Sequence, residues 1–400
     1  MAYAKRWLSR PAGDCTFAAQ ASTGGFAAVP RPSVAALLDA IEAGWEGAPG
    51  AWRRAWSAAL PILAGLGLGA GRRALRDPVA GPGRAGRSVF LLVSHRALDR
   101  AAAIAPIRRA GAAFVPFVHD LIPLSHPEYA RPPQVRRHAA RVLTVAAMAD
   151  GVLANSAATA ASLRGELAAR GLPAPPVTVA PLGVRARAPA PADAEAPPAG
   201  PYFVCLGTIE PRKNHLLLLH LWRDLAARLG GAAPRLLLVG RRGWENENIL
   251  DMLERCAALR GLVRECGAPG DAAVASLLAG SRALLFPSFA EGYGLPLAEA
   301  LALGVPALCS DLPALREVGG AVPDYLDPLD GAAWRRAVLD YADPASAARA
   351  AQLARLAGWR APGWDAHFAA VDGLLERVAS GRAMAAAAPS PAPALEEMPA

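Results

Sequence analysis

Glu291 and Glu299, with seven residues between them, bracket a loop in which Gly292 and Gly294 flank Tyr293. The apolar run Ala283-Leu284-Leu285-Phe286 ahead of this loop reads as a buried strand, which Pro287-Ser288 ends. Behind it, Leu295, Leu297 and Leu301 recur at helical spacing, and Pro296 is tolerated in a first helical turn. The unit is therefore strand, glycine loop, helix. Its glycines let backbone N–H groups approach a ligand at the positive end of a helix. A carboxylate placed like Glu299 can accept hydrogen bonds from sugar hydroxyls.

A second group of chemical side chains lies in Gly207-Thr208-Ile209-Glu210-Pro211-Arg212-Lys213-Asn214-His215, between an apolar strand and a Leu-rich helix. Adjacent cations at a strand end suit a diphosphate, Arg212 as a bidentate fork and Lys213 as a point charge. A bare Arg-Lys pair fits an ordinary solvated surface equally well. Three further candidates, His95, His119 and Asn155, each stand where an apolar strand ends. Gly240-Arg241-Arg242-Gly243-Trp244 and Gly267-Ala268 also follow strands. For Trp244, stacking on a ligand and packing in a core are equally good readings.

These segments share a context. The run 283–311, with its two spaced glutamates, and the Glu210-Pro211-Arg212-Lys213-Asn214 loop resemble family 4 (group 1) glycosyltransferases. Val118-His119-Asp120-Leu121-Ile122-Pro123 is similar to a bacterial mannosyltransferase-like subgroup of that family. The resemblance implies the GT-B fold: two doubly wound Rossmann-like α/β domains facing a deep cleft, with a C-terminal cross-over helix. It also implies retaining, metal-independent transfer of a sugar, mannose by the subgroup, from a GDP- or UDP-sugar. The acceptor would be a hydroxyl of a surface polysaccharide or lipid-linked glycan precursor. Catalytic roles would then fall to His119, Arg212, Lys213 and Glu291. Donor binding would fall to Gly207, Thr208, Gly240, Gly267, Gly292, Tyr293, Gly294, Leu295 and Glu299, the last on the ribose. His95 and Asn155 are weaker acceptor-side candidates. Many members carry an arginine where this chain has Thr208, and Arg212 is the candidate replacement. No cofactor beyond the donor is implied. A catalytically degenerate sugar-nucleotide-binding scaffold and a nucleotide-sugar epimerase of the same fold are the alternatives.

The positioning elements follow from hydropathy. Strands are expected at 89–93, 114–118, 151–154 and 177–181, alternating with helices at 98–109, 131–149 and 157–170. Such alternation implies a parallel sheet with helices on both faces, and places functional side chains at strand C-terminal ends. A Pro/Ala linker at 186–200 divides a first domain, 1–185, from a second, 201–360. The second has strands at 202–206, 235–239, 262–265, 283–286 and 307–309. The cross-over helix is expected at 361–378, and an Ala/Pro tail at 379–400 reads as disordered.

Residues 1–87 are the least legible. A helix ending at Leu8, a short strand at 15–20, a helix at 33–45 capped by Ser33, and an Arg-rich loop at 76–87 are expected. Met1 to Leu8 resembles a helix that in the subgroup follows a first strand and glycine loop. The resemblance implies either a first sheet lacking that strand and part of the acceptor site, or a divergent first domain.

Bulk properties agree with two cores. The 400 residues are 53% hydrophobic with a formal charge of +8. That charge favours anionic partners, but no aromatic-interleaved basic motif points to nucleic acid. Five scattered cysteines suit a reducing cytoplasm. The uncharged segment 55–71 is too short and too rich in glycine to span a bilayer. A peripheral contact with the inner membrane is compatible with Arg53, Arg54, Arg72, Arg73 and Arg76, as is a solvated basic face.

Overall fold

Alternating side chains divide almost every strand of this protein between two cores, as parallel sheets buried on both faces require. The computed structural model describes residues 1–21, 24–45, 48–67, 87–184, 198 and 200–381. The linker at 186–200, the Arg-rich stretch with Arg72, Arg73 and Arg76, and the tail beyond 381 fall largely outside those residues.

The first domain opens with the helix Ala2–Leu8 and an antiparallel ribbon of β1 (Phe17–Gln20) and β2 (Phe26–Val29). Two helices, Arg31–Trp45 and Ala51–Gly67, come next. The main sheet then forms from β3 (Val89–Leu92), β4 (Ala113–Val118), β5 (Val152–Ala154) and β6 (Val177–Val179). All four are parallel and neighbour one another in chain order. On one face Phe114, Val118 and Val152 meet Ile104, Val142 and Leu163 from the connecting helices. On the other, Val115, Phe117 and Leu153 meet Val371, Leu374 and Val378 of the last helix, Trp364–Ala379. That helix crosses from the second domain and seals the first, as expected. His367 fixes it, its Nδ1 donating toward the Ala180 and Pro181 carbonyls at 3.1 and 3.0 Å.

The second domain contains β7 (Tyr202–Leu206), β8 (Arg235–Val239), β9 (Val263–Gly267), β10 (Leu284–Phe286), β11 (Ala307–Ser310) and β12 (Asp324–Leu326). They lie parallel in the order β12-β11-β10-β7-β8-β9. Strand order reverses between β7 and β10. Tyr202, Val204, Leu284 and Phe286 enter one core, while Phe203, Cys205 and Leu285 enter the other. The helix after β7, His215–Leu229, joins the second core, and the helix after β10, Leu295–Ala302, joins the first. The two chains therefore leave neighbouring strands in opposite directions and open a crevice between their loops.

Several expectations needed correction. The helix expected at 33–45 starts at Arg31, so Ser33 lies inside it rather than capping it. Arg31-Pro32 opens the helix, with proline in the first turn where its missing N–H costs nothing. β2 and β12 had not been expected; each is only three or four residues long and lacks a sustained alternation. The uncharged segment beginning at Ala55 belongs to the helix Ala51–Gly67, which carries Pro61 within it. Among the described residues no helix is long and apolar enough to cross a membrane.

Candidate active site in the interdomain cleft

Lys213 and Glu291 come from the loops after β7 and β10 and meet at the switch point. Lys213 Nζ lies 2.6 Å from Glu291 Oε1, with the side chains only 9% and 8% exposed. Arg212 NH1 lies 3.1 Å from the same oxygen, and its NH2 donates to Glu210 Oε1 at 2.6 Å. Arg212 also donates to the Ala290 carbonyl at 2.7 Å, and its own carbonyl accepts from the Phe289 N–H at 2.9 Å. The two loops are thus stitched into one body. Burial alone would push the Glu291 carboxyl up, but Lys213 and Arg212 outweigh it and hold the group below the usual carboxylate range. Burial works against the Arg212 charge as well, and Glu291 and Glu210 overcome it. Glu291 is therefore ionised, with two cations committed to it.

The glycines bring backbones together. A Cβ on Gly240 would sit 1.9 Å from the Gly207 carbonyl oxygen, so the ends of β7 and β8 meet as closely as only glycine allows. The Gly240 N–H donates to the Gly267 carbonyl at 2.6 Å, which aligns the three strand ends. Thr208 is half-buried beside Gly243. Gly294 caps the helix Leu295–Ala302 in a left-handed conformation. Leu295 is 39% exposed at that helix's first position. Glu299 is half-buried on its second turn, about 7 Å along the axis from the cap. Tyr293 turns away from the loop: its hydroxyl donates to the Leu182 carbonyl at 2.7 Å, and the ring is buried.

The first domain supplies the opposite wall. His119 follows β4 and is held at three points. Its N–H donates to His95 Nε2 at 2.9 Å, its Nε2 reaches the Val93 carbonyl at 2.9 Å, and its carbonyl accepts from Asn155 Nδ2 at 2.8 Å. A carbonyl can only accept, so the His119 proton sits on Nε2 and Nδ1 keeps its lone pair. His95 Nε2 accepts, so that ring carries its proton on Nδ1. Burial, then the neighbouring His119, Arg141 and His138, push the His95 pKa down to about 2 and keep it neutral. Asn155 is buried and acts as a strut for His119 rather than as a cleft-facing group.

The walls touch at Gly292. A Cβ there would lie 2.4 Å from the His119 carbonyl oxygen. The Gly292 carbonyl accepts from Ser156 Oγ at 2.7 Å and Thr159 Oγ1 at 3.0 Å. Nearby, Glu317 accepts from the Ala157 N–H at 2.7 Å and caps the helix Ala157–Ala169 across the domain boundary. Tyr129 and Phe289 stack with centroids 5.3 Å apart. Beside these contacts lies a cavity of about 320 Å³, with His95, Asp120, Arg137 and His138 on one side and Glu210, Arg212 and Trp244 on the other.

The fold thus gathers Arg212, Lys213, Glu291, Gly292 and His119 around one crevice, with Gly207, Gly240 and Gly267 along its sheet edge. Ser156, Thr159, Glu317, Glu210 and Arg137 had been given no role from the sequence. Ser156 carried a signal, as a serine between a strand end and a helix. Glu317 carried none, since its partners lie 160 positions away.

Residues 200–343 match the family model described as Glycosyl transferases group 1. The chain is 39% identical over 129 residues to the Escherichia coli O-antigen chain mannosyltransferase B, covering 32% of this chain and 33% of that protein. It is 30% identical over 245 residues to the E. coli serotype-specific mannosyltransferase WbdA, covering 57% of this chain and 29% of that protein. The matches thus span about a third of these relatives' length. Among solved structures, Anabaena HepE in complex with UDP-glucose superposes with a TM-score of 0.58 at 18% identity, covering 72% of this chain and 79% of that one. Sucrose-phosphate synthase from Thermosynechococcus elongatus gives 0.56 at 20% identity, covering 77% and 76%. Both likenesses concern the fold. Residues 200–343 are thus similar to the group 1 glycosyltransferases, and the chain that carries them has the GT-B fold.

Proposed function

We propose that this protein is a retaining glycosyltransferase. It would move a hexosyl group, mannose in the first instance, from a GDP- or UDP-sugar to a hydroxyl of a surface polysaccharide or a lipid-linked glycan precursor. The observation that carries this reading is the buried Lys213–Glu291–Arg212 cluster at the switch point, next in the chain to Gly292, which lies against the His119 carbonyl of the first domain. The similarity to O-antigen mannosyltransferases supports the choice of sugar and acceptor class.

In this reading the donor diphosphate sits against Arg212 and Lys213, with the backbone at Gly292–Gly294 and the N-terminus of the helix Leu295–Ala302 as further donors. Glu299 binds the ribose. As the glycosidic bond breaks, charge grows on the leaving phosphate, and the two cations stabilise it inside a crevice that excludes water. They supply the positive charge that the leaving group needs, so the proposal assigns neither metal nor cofactor. Glu291 is already bound to both cations, which makes its carboxylate a poor nucleophile. That favours front-face attack by the acceptor hydroxyl, its proton passing to the departing phosphate. His119 contributes a fixed Nδ1 acceptor for a sugar hydroxyl. A cytoplasmic setting, where nucleotide sugars are available, belongs to the same proposal.

Calorimetric titration with GDP and UDP, repeated on Glu299→Ala, tests the donor half. One nucleotide is expected to bind clearly and to lose at least tenfold in affinity in the variant, an effect of ~1.4 kcal/mol or more. Binding of neither nucleotide would point instead to a non-catalytic scaffold. Transfer from the matching mannosyl donor, followed by anomer-resolved NMR of the product, tests retention.

A further inference from the structure

We propose that the helix Ala51–Gly67 is a docking face for an anionic phospholipid bilayer. One side of this helix is accounted for: Ala51, Ala55 and Leu66 are buried, and Leu66 and Ile62 pack with Ala21 and Ala27 of the β1–β2 ribbon. The adjacent side is apolar and largely exposed, although one edge of the Trp52 ring lies along Gly44 of the preceding helix. Trp52, Trp56, Leu60 and Leu63 are 54%, 67%, 59% and 53% exposed. At ~100° per residue they fall within about 80° of the helix circumference. Four large apolar side chains in one exposed stripe differ from the single exposed leucines that any surface carries.

The composition of this face selects its occupant. Tryptophan on an amphipathic helix favours the boundary between headgroups and acyl chains. Arg53 borders the stripe, Arg54 lies on the solvent side, and the helix carries no acidic residue. Charge is also unevenly distributed. Residues 1–184 contain 21 Lys and Arg against 10 Asp and Glu, whereas residues 185–400 contain 21 against 24. The first domain alone is therefore strongly basic, and an anionic surface attracts that end of the molecule.

Position relates this face to the cleft. The Trp45 carbonyl, at the end of the preceding helix, lies against Gly270 in the loop that follows β9. The paired helices thus reach the rim of the second domain, and docking through the stripe would bring that rim to the bilayer. This orientation suits a lipid-linked acceptor, but the docking face rests on its own surface chemistry and not on the assigned reaction.

Co-sedimentation of the full chain with phosphatidylcholine vesicles, with and without phosphatidylglycerol, is the test. Tryptophan emission is recorded in parallel. The wild-type chain is expected to bind only the anionic vesicles, with a blue shift, and to release as salt is raised. The triple variant Trp56→Ser/Leu60→Ser/Leu63→Ser is expected to bind on the order of 100-fold more weakly. Arg53→Glu is expected to lose about fivefold or more. All variants should titrate with nucleotide as the wild type does, which verifies folding and separates this result from the donor assignment. Equal binding by the wild type and the triple variant, or equal binding to neutral and anionic vesicles, would overturn the proposal. So would an absence of vesicle binding, including the case in which light scattering finds a dimer that the triple variant dissociates, which would assign the face to a second copy of the chain.

Discussion

Lys213 and Glu291 form a buried ion pair whose members cannot be removed singly without leaving a charge stranded. Lys213→Met keeps much of the side-chain volume but leaves the Glu291 carboxylate with Arg212 alone. Loss of one partner of such a pair costs about 3–5 kcal/mol of stability. Loss of one preorganised charge at a leaving group costs on the order of 10²–10³ in rate. The double variant Lys213→Met/Glu291→Gln should recover most of the stability and none of the transfer. Urea denaturation and single-turnover transfer would check both arms; recovery of activity with stability would remove Lys213 from the chemistry. At this scale the sequence was informative where a motif carried the signal, as at Glu291, Arg212 and Lys213, which the fold brings together. It was silent on the pairing of Glu210, whose carboxylate is nearly fully buried against Arg212. A glutamate before a proline has no pattern that separates it from a solvated one.

The helix Trp364–Ala379 shows how one element can belong to two domains. It follows the second domain in the chain, yet Val371, Leu374 and Val378 complete the core beneath β4 and β5. Leu374 is fully buried and lies against Gly151, just ahead of β5. Leu374→Ala is expected to cost 2–5 kcal/mol. Its effect should appear as faster hydrogen exchange in β4 and β5, with β7 and β8 unchanged. Equal loosening of both sheets would mean that the helix stabilises the second domain instead. The helix itself was legible from its apolar spacing. Its destination came only through the family resemblance, because an apolar stripe does not say which sheet it covers.

Buried neutral histidines give the whole molecule an acid-sensitive fold. Burial, with nearby cations, lowers the His95 pKa to about 2 and the His215 pKa to about 4, and burial also lowers those of His138 and His367. The unfolded chain binds these protons near pH 6.5, while the folded chain refuses them. The stability they contribute is therefore complete above about pH 6.5 and is lost as pH falls below it. For His95 and His215 the loss is about 1.4 kcal/mol per pH unit each, down to roughly pH 4. Glu291, with its lowered pKa, adds a further loss only below about pH 4. The thermal midpoint should fall steadily from pH 7 to pH 5, and His95→Gln should flatten the slope. A midpoint independent of pH across that range would refute the assignment of these rings as neutral.

Local signals determined a great deal of this protein. Apolar runs ended by Gly, Pro or polar residues marked most strands of the two parallel sheets among the described residues, because parallel strands buried on both faces tend to be continuously apolar. The glycine loops were recognisable because close backbone approach admits no other residue. What tertiary structure decided was partnership. Glu291 lies 78 positions from Lys213, and Gly292 takes hydrogen bonds from Ser156 and Thr159, more than 130 positions away. No periodicity records such pairings, since they arise when two domains close on one another. The same holds for the stripe at Trp52, Trp56, Leu60 and Leu63: hydropathy marks it as apolar, and only the packed fold shows that it stays largely exposed among the described residues.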